Sequence, residues 1–524
     1  MNRRDMLKVS ALSAAGAAIG TSTVASAAEL TPHGVIGPRP NPKLPEGTDL
    51  IPQIKHIVIV MMENQSYDSV LGLLTKPGTN IPRGDGLNWK GSPASRPTNS
   101  NPTALTKNAP RLRSFAMPTT AQMREYPWQT WGATFTQAFG SPTAKSVPKK
   151  AADWNQGFVV SNSGPISMGF FTPQQLPFFN SMAQTFPIAD RWFASCPAQT
   201  YPNRMFMMAG TSLGWTTTTL PSETFMPPNG TIFQKLDRHR IPWKNYHCRD
   251  FTGASSLIWV GQIIGPKASM VFGNGIAGID QFFTDAAAGT LPAVSMVDPN
   301  FEVSSGENSQ DLQHADAFMH DVVNALMSGP GWKDTMLVWT FDEHGGYYDH
   351  VPPVKLGRPD SSTPETVVWS GNPAITNFDW SGMRVPSGVV SPYAKPNYVS
   401  SKIYDHTSIL KLICQKFNLP PFTIRDKKAN SPLDMIDLRK PPHFLTPPTL
   451  APKVRDAAGN EVSTGIGTDT APTYDESVRF PNDDRVVDGK GKLARRQFYN
   501  DSSGNPTTTV TPYWQALLDA MNGR

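Results

Sequence analysis

The chain has 524 residues, 39% of them hydrophobic and 17% charged, which is material for one large α/β domain with insertions, or two domains, and excludes a chain disordered throughout. Its 50 prolines and 41 glycines predict long ordered loops instead of long helices. The formal charge of +5 includes Arg3, Arg4 and Lys8 set against Asp5, and no further basic tract follows, which argues against nucleic acid as a partner.

Arg3-Arg4 precedes a weakly apolar run from Val9 to Ile19 and then Ala25-Ser26-Ala27. This order reads as a twin-arginine export signal over 1–27, removed on export, because the apolar run is shorter than the ~20 residues a membrane span needs. A periplasmic, cell-envelope-associated or secreted protein is therefore expected, with no transmembrane anchor. Residues 28–50 read as a Pro-rich leader lying on the surface of a catalytic domain at 51–440.

Within that domain, Ile54–Met62 is a continuous β-branched run too short for a good helix, so it is expected to be a buried parallel strand. Residues 74–112 are rich in Pro, Ser, Asn and Thr, the start of an irregular insertion reaching to about 150. Leu312, Ala315, Met319, Val322 and Leu326 recur at helical spacing and predict a helix from Asp311 to Leu326. Thr335–Phe341 reads as a second buried strand and Gly388–Ser391 as a third, before an amphipathic helix through Ile409, Leu410, Ile413, Cys414 and Phe417. Residues 441–524 read as a polar extension packed on the domain and closing with a helix near Tyr513–Met521. Three cysteines, Cys196, Cys248 and Cys414, lack metal-ligand spacing and allow at most one disulfide.

The first strand runs into Glu63-Asn64 and the second into Asp342-Glu343. Ligands of open parallel sheets bind at the carboxyl ends of strands, and clustered carboxylates repel one another unless a cation joins them. The segment after Glu343 adds His344, Gly345-Gly346 and His350. The glycines are expected to let the loop approach a ligand, and the histidines to ligate metal or to contact and protonate phosphate oxygens. Between Asp190 and Arg204, prolines are expected to hold Thr200 in a rigid turn. Its alcohol is either an ordinary turn residue or, beside a divalent metal, a nucleophile.

Four blocks carry a resemblance. They are Ile54 to Gly72 with Met62-Glu63-Asn64-Gln65-Ser66-Tyr67-Asp68, Phe186 to Ser212 with Thr200-Tyr201-Pro202-Asn203-Arg204, Phe341 to Val351, and Ser391 to Ile413 with Asp405-His406-Thr407. In order and spacing they resemble the bacterial phosphoesterase family of phospholipases C and acid phosphatases. That resemblance implies an alkaline-phosphatase-like α/β fold, a mostly parallel central sheet with helices on both faces and long loop insertions. It also implies Glu63, Asn64, Thr200, Asp342 and Glu343 as metal ligands, Thr200 doubling as nucleophile, and His350 and His406 as phosphate-contacting or acid–base groups. His344 and Asn203 are further candidates for phosphate or substrate contact. Relatives carry a His-Pro-Pro element where this chain has Glu307-Asn308-Ser309, so Glu307 or His314 is left to replace a family histidine.

The implied cofactor is a divalent metal ion, with calcium, magnesium, manganese, zinc and iron all compatible with oxygen and histidine donors. The implied substrate is a phospholipid of phosphatidylcholine type, or alternatively a small phosphate monoester. Tyr126, Trp128 and Trp131, with Phe135 and Phe139, form either an apolar rim for lipid or internal packing. A sulfatase is excluded because Cys196-Pro197 lacks the Cys-x-Pro-x-Arg spacing. A catalytically silent exported binding protein would be expected to have lost Glu63, Thr200 or Asp342.

Overall fold

The computed structural model describes residues 36–87, 99–104, 106, 108–122, 127–140, 147–150, 153–161, 164–218, 227–248, 255–256, 275–308, 310–362, 364, 378–456, 459–464 and two short strands at 499–500 and 506–507. The expected export signal, residues 28–35 and the helix near Tyr513–Met521 lie outside the described residues.

An eight-stranded sheet forms the centre. In chain order its strands are β1 (His56–Met62), β2 (Ile188–Ala189), β3 (Trp243–His247), β4 (Ile276–Gly278), β5 (Val294–Val297), β6 (Thr335–Phe341), β7 (Ser387–Val390) and β8 (Val399–Ser400), arranged β8-β2-β7-β6-β1-β5-β3-β4. Only β7 opposes its neighbours β6 and β2; the other pairs are parallel. The central pair runs in register from His56 opposite Thr335 to Met62 opposite Phe341. All seven residues of β6 are buried, as are the last six of β1. That explains why both read as unbroken apolar runs: a strand covered on both faces has no solvent side to mark with polar residues.

Ring contacts show that helices cover both faces. Tyr246, Val297, Val60 and Trp339 share one face through the strand register. On it Phe282 of α6 (Ile279–Ala288) meets Tyr246, and Phe179 of α3 (Pro177–Thr185) meets Trp339. α7 (Leu312–Ser328) packs on both helices, and α1 (Tyr67–Leu71) packs on α3. Trp243 is three residues from Tyr246 and so points to the other face, where Phe233 of α5 (Ile232–Arg238) lies 4.5 Å away. α5 leads to α4 (Thr200–Ala209), α4 to α8 (Thr407–Lys416), and α8 to α9 (Ile424–Lys428). α2 (Trp131–Phe139) belongs to the insertion.

Residues 36–50 lie on α8 through Asn418, whose amide donates to the carbonyls of Asn41, Leu44 and Pro45. Further on, the Phe444 ring lies tilted against Phe186 at 4.8 Å, and its carbonyl accepts a hydrogen bond from Trp332 Nε1. The three cysteines are free and buried. Among the described residues no helix is long and apolar enough to cross a membrane.

One buried carboxylate ties two helices together. α3 begins after Leu176, which offers no capping side chain, and Asp316 of α7 accepts from Phe178 N at 3.1 Å and Phe179 N at 2.7 Å instead. Burial pushes the Asp316 carboxyl up to about 7 although these two amides favour its charge. Asp316→Ala is expected to lower the unfolding free energy by about 2 kcal/mol, as the loss of a cap with its two buried donors left unpaired should. A urea unfolding curve unchanged from wild type would contradict the cap.

Candidate active site

Because β1 and β6 end side by side, with Met62 opposite Phe341, the residues that follow them emerge together. Asp342 N donates to Met62 O at 3.0 Å, and Asn64 N donates to Asp342 Oδ1 at 3.2 Å. Asn64 adopts a left-handed backbone with φ of 63°, a conformation asparagine tolerates better than most side chains. Glu63, Asn64, Asp342 and Glu343 are all buried. Burial raises both Asp342 and Glu343 well above the usual carboxylate range. Arg204 pulls Asp342 back, but Glu63 and Glu343 push it up, and Glu63 also pushes up Glu343. The three carboxylates therefore feel one another's charge.

Four of the atoms here have no partner among the described residues: Glu63 Oε2, Asn64 Oδ1 and Nδ2, and Glu343 Oε1. Buried polar atoms are normally paired, and each orphan is costly. Three of these four are oxygens, two of them on carboxylates, which is the donor set a hard divalent cation takes. The residues present fit such an ion.

Thr200 does not sit in a turn, contrary to the sequence reading; it is the first residue of the ten-residue helix α4. Pro202 does not prevent this, because the amide it lacks belongs to the first turn, where no intrahelical acceptor exists. Gly210 ends the helix with φ of 76°. Thr200 is 6% exposed, and among the described residues nothing hydrogen-bonds its hydroxyl. One turn along the same face, Arg204 reaches Asp342 Oδ2 with Nε at 3.2 Å. Asn203 turns back into the chain: its side chain bonds Cys196 N and the carbonyls of Cys196, Ala198 and Gln199. It shapes the approach to α4 and has no amide hydrogen left for a phosphate.

The histidines divide. His406 caps α8; its Nδ1 accepts from Trp192 Nε1 at 3.3 Å, so Nε2 carries the hydrogen and donates to Asp342 O at 2.6 Å. Burial lowers its pKa to about 4. His344 donates through Nε2 to Gln137 Oε1 at 2.6 Å, while Gln137 donates to Trp128 O, and its Nδ1 lies 3.3 Å from Glu343 Oε2. Burial lowers this ring to about 3. His350 joins a different group, with Nδ1 2.7 Å from Asp68 and Nε2 3.2 Å from Asp85. Asp68, Asp349 and His350 could be grouped about a metal, but Arg384 already supplies the positive charge, 3.1 Å from Asp68 and 2.9 Å from Asp349. His314 is on α7 and bonds Ser463 O at 2.5 Å, apart from the carboxylates. Glu307 is half-buried, with its N bonded to Ser305 Oγ.

The glycine pair approaches protein, not ligand. A Cβ on Gly345 (φ 62°) would lie 2.0 Å from Asn64 O, and one on Gly346 (φ 79°) 2.5 Å from Trp128 O. Trp131 stacks on Phe135 and Phe135 meets Phe139 edge-on, each at 5.1 Å, and all three are buried, so they are packing and not a rim. Trp128 is partly buried against the core, and Tyr126 lies outside the described residues.

Sequence reasoning missed three groups. Arg204 was visible only as the residue four after Thr200. Asp298 directly follows β5, so the strand-end rule that found Glu63 and Asp342 would have found it had Val294–Val297, only four residues long, been recognised as a strand. The group formed by Asp68, Asp349 and Arg384 left no local signal.

Residues 54–420 match the Phosphoesterase family. The chain is 28% identical to non-specific phospholipase C3 of Arabidopsis thaliana over 77% of each chain. It is 29% identical to non-specific phospholipase C6 of the same plant over 76% of this chain and 74% of that one. With phospholipase C A of Mycobacterium tuberculosis (strain CDC 1551 / Oshkosh) the identity is 28% over 70% and 73%. A solved structure of a protein in the alkaline phosphatase superfamily from Vibrio parahaemolyticus aligns at TM-score 0.32 and 12% identity, over 65% of this chain and 75% of that one; the fold class rests on the sheet itself.

Burial opposes charge on His350, but Asp68 and Asp85 outweigh it and raise its pKa from 6.5 to about 10. A raised cationic pKa contributes stability that is complete below the unfolded value and lost as pH rises through the folded one. The difference in unfolding free energy between wild type and His350→Gln is therefore expected to be largest below pH 6.5 and to shrink toward pH 10. Chemical denaturation across that range tests it, and a difference independent of pH would refute the charge.

Proposed function

This chain belongs to the Phosphoesterase family, and on that premise we propose that it hydrolyses phospholipid diesters of phosphatidylcholine type, with Thr200 as the nucleophile and a divalent cation held by Glu63, Asn64, Thr200, Asp342 and Glu343. The family and its phospholipase C relatives make it a hydrolase of phosphoester bonds. What carries the finer reading is the set of buried donor atoms on Glu63, Asn64 and Glu343 that have no partner among the described residues, beside Asp342, which Arg204 of the same helix as Thr200 contacts. The lipid substrate is supported by the relatives' names.

Thr200 Oγ1 attacks phosphorus in line, forming a P–O bond as the bond to the leaving alcohol breaks. The cation supplies a Lewis acid that favours the ionised form of a neighbouring alcohol and screens phosphoryl charge. Thr200 also stands at the N-terminal end of α4, where the helix dipole favours an anion. His350, held protonated by Asp68 and Asp85 and partly open to solvent, gives the departing alcohol its proton from Nε2, whose partner Asp85 is the longer contact and the more exposed carboxylate. Water then hydrolyses the phosphothreonine and restores Thr200. His406 has both nitrogens engaged and serves by fixing the Asp342 main chain. The paired arginines Arg3-Arg4 with Ala25-Ser26-Ala27 support export by the twin-arginine machinery to the periplasm, the cell envelope or the medium.

Thr200→Ala is expected to reduce kcat by about a thousandfold or more and to abolish the phosphoenzyme trapped by acid quench during turnover; full activity in the variant would reject the nucleophile. Side-by-side assays with phosphatidylcholine and p-nitrophenyl phosphate, before and after chelation, test substrate and metal together. Lipid hydrolysis should dominate and chelation should stop both reactions, whereas faster monoester turnover would move the assignment to a phosphomonoesterase.

A further inference from the structure

β8 is parallel to β2, β2 opposes β7, and β7 opposes β6, which runs with β1. The segment Ser401-Lys402-Ile403 therefore leaves the sheet on the side where Glu63 and Asp342 emerge. Ile403 is 42% exposed and Ile424, the first residue of α9, is 43% exposed. Two isoleucines in water would need no explanation by themselves; their setting supplies one.

α9 joins them. Asn430, just past its end, donates through Nδ2 to Ile403 O at 2.8 Å. Ile424 and Lys428, one turn apart, both flank Gly357, at 3.8 and 3.4 Å from where a Cβ on that residue would lie. The inner face of the helix is anchored beside the candidate active site, because Arg425 donates to Ser195 O and Asp405 Oδ2, each at 2.8 Å, in the segments that lead to Thr200 and His406. Asp426 is turned inward as well and accepts from the amides of Phe422 and Thr423 at 2.9 and 2.6 Å. The outer face is left with Ile424, Lys427 and Lys428, all exposed.

The charge around that face has one sign. Lys427 Nζ donates to Ile36 O, Lys411 Nζ to Lys427 O, and Arg358 Nη2 to the carbonyls of Ser361 and Ser362. Among the described residues neither these three cations nor Lys428 pairs with a carboxylate, whereas Lys402, beside Ile403, is met by Asp434 at 2.5 Å. Uncompensated cations around exposed isoleucines complement a bilayer surface, which offers phosphates to the first and an acyl boundary to the second.

We propose that the face formed by Ile403, Ile424, Arg358, Lys411, Lys427 and Lys428 docks the protein on a phospholipid bilayer containing anionic lipid, and so brings the carboxyl end of the sheet to its substrate. This deepens the phospholipid reading given above and rests on it for its purpose, while docking itself is measured without turnover.

The test is flotation of the full-length protein with vesicles of phosphatidylcholine alone and of phosphatidylcholine mixed with phosphatidylglycerol, on wild type, Ile403→Asp/Ile424→Asp and Lys427→Glu/Lys428→Glu. Hydrolysis of the same vesicles, and of dihexanoylphosphatidylcholine kept monomeric, is measured alongside. Wild type should bind the anionic vesicles more tightly and lose that preference as salt is raised. One lysine near an anionic surface is worth about fivefold in binding, so reversing two should weaken binding to anionic vesicles by about 25-fold or more. The isoleucine pair should weaken binding to both compositions by about tenfold or more. Both variants should keep wild-type kcat/KM on the monomeric lipid and lose activity on vesicles in step with binding. Wild type that does not float with anionic vesicles, or variants that float as well as it does, would overturn the proposal, as would equal losses on monomers and vesicles. Variants that float normally but split a dimer would give the face to a second copy of the chain instead. Flotation as expected with no hydrolysis of either form of phosphatidylcholine would remove the substrate reading and leave the docking face standing.

Discussion

Glu63, Asp342 and Glu343 leave two adjacent parallel strands in register and finish buried together, where burial and the charge of Glu63 oppose the ionisation of Asp342 and Glu343. A protein folded around such a group must either keep protons on it or bring positive charge to it. Much of the surrounding architecture does the second. Arg204 reaches in from α4 to one carboxylate. The atoms it leaves unserved on Glu63 and Glu343 are the reason a divalent cation suits the site better than further protein donors would.

The two segments that carry these groups are fastened at both ends. Near the strands, Asn64 bonds Asp342; further out, Ser66 Oγ bonds Tyr348 O, and Asp68 bonds the amide and ring of His350. Arg384 closes the far end by pairing with both Asp68 and Asp349. Buried ion pairs of this kind seldom add much net stability, because desolvating the charges offsets their attraction. What they confer here is geometry: residues 63–68 and 342–350 have little freedom to slide past one another, and the spacing of Glu63 and Glu343 follows from that.

How much of this was legible in the sequence depends on the distance over which each signal acts. β1 and β6 are buried on both faces, so their apolar runs announced them; the expected strand Thr335–Phe341 coincides with β6. The helix expected from Asp311 to Leu326 lies at 312–328 with Asp311 as its cap. Glu63 and the Asp342–Glu343 pair could be found because they directly follow those strands. Thr200 was misread because two prolines nearby suggested a turn, whereas a proline in a first helical turn sacrifices no hydrogen bond. The glycines after His344 were assigned to a ligand when the close neighbour is Asn64 O. Asp68, His350 and Arg384 meet across separations of 34 to 316 residues, and no pattern in a local window encodes such a meeting.

The correction at Thr200 changes the physical case for it as nucleophile. A threonine in a loop would depend on the cation alone to favour its ionised form. At the first position of a helix it also lies at the positive end of the helix dipole, which favours negative charge on the alcohol and on an incoming phosphate alike. The same helix delivers Arg204 one turn later to Asp342. A single rigid element therefore carries both the proposed nucleophile Thr200 and the arginine that meets Asp342, and any movement of α4 along its axis would displace both together. That coupling requires an uninterrupted helix from Thr200 to Arg204, which a proline is able to join only because it falls within the first turn.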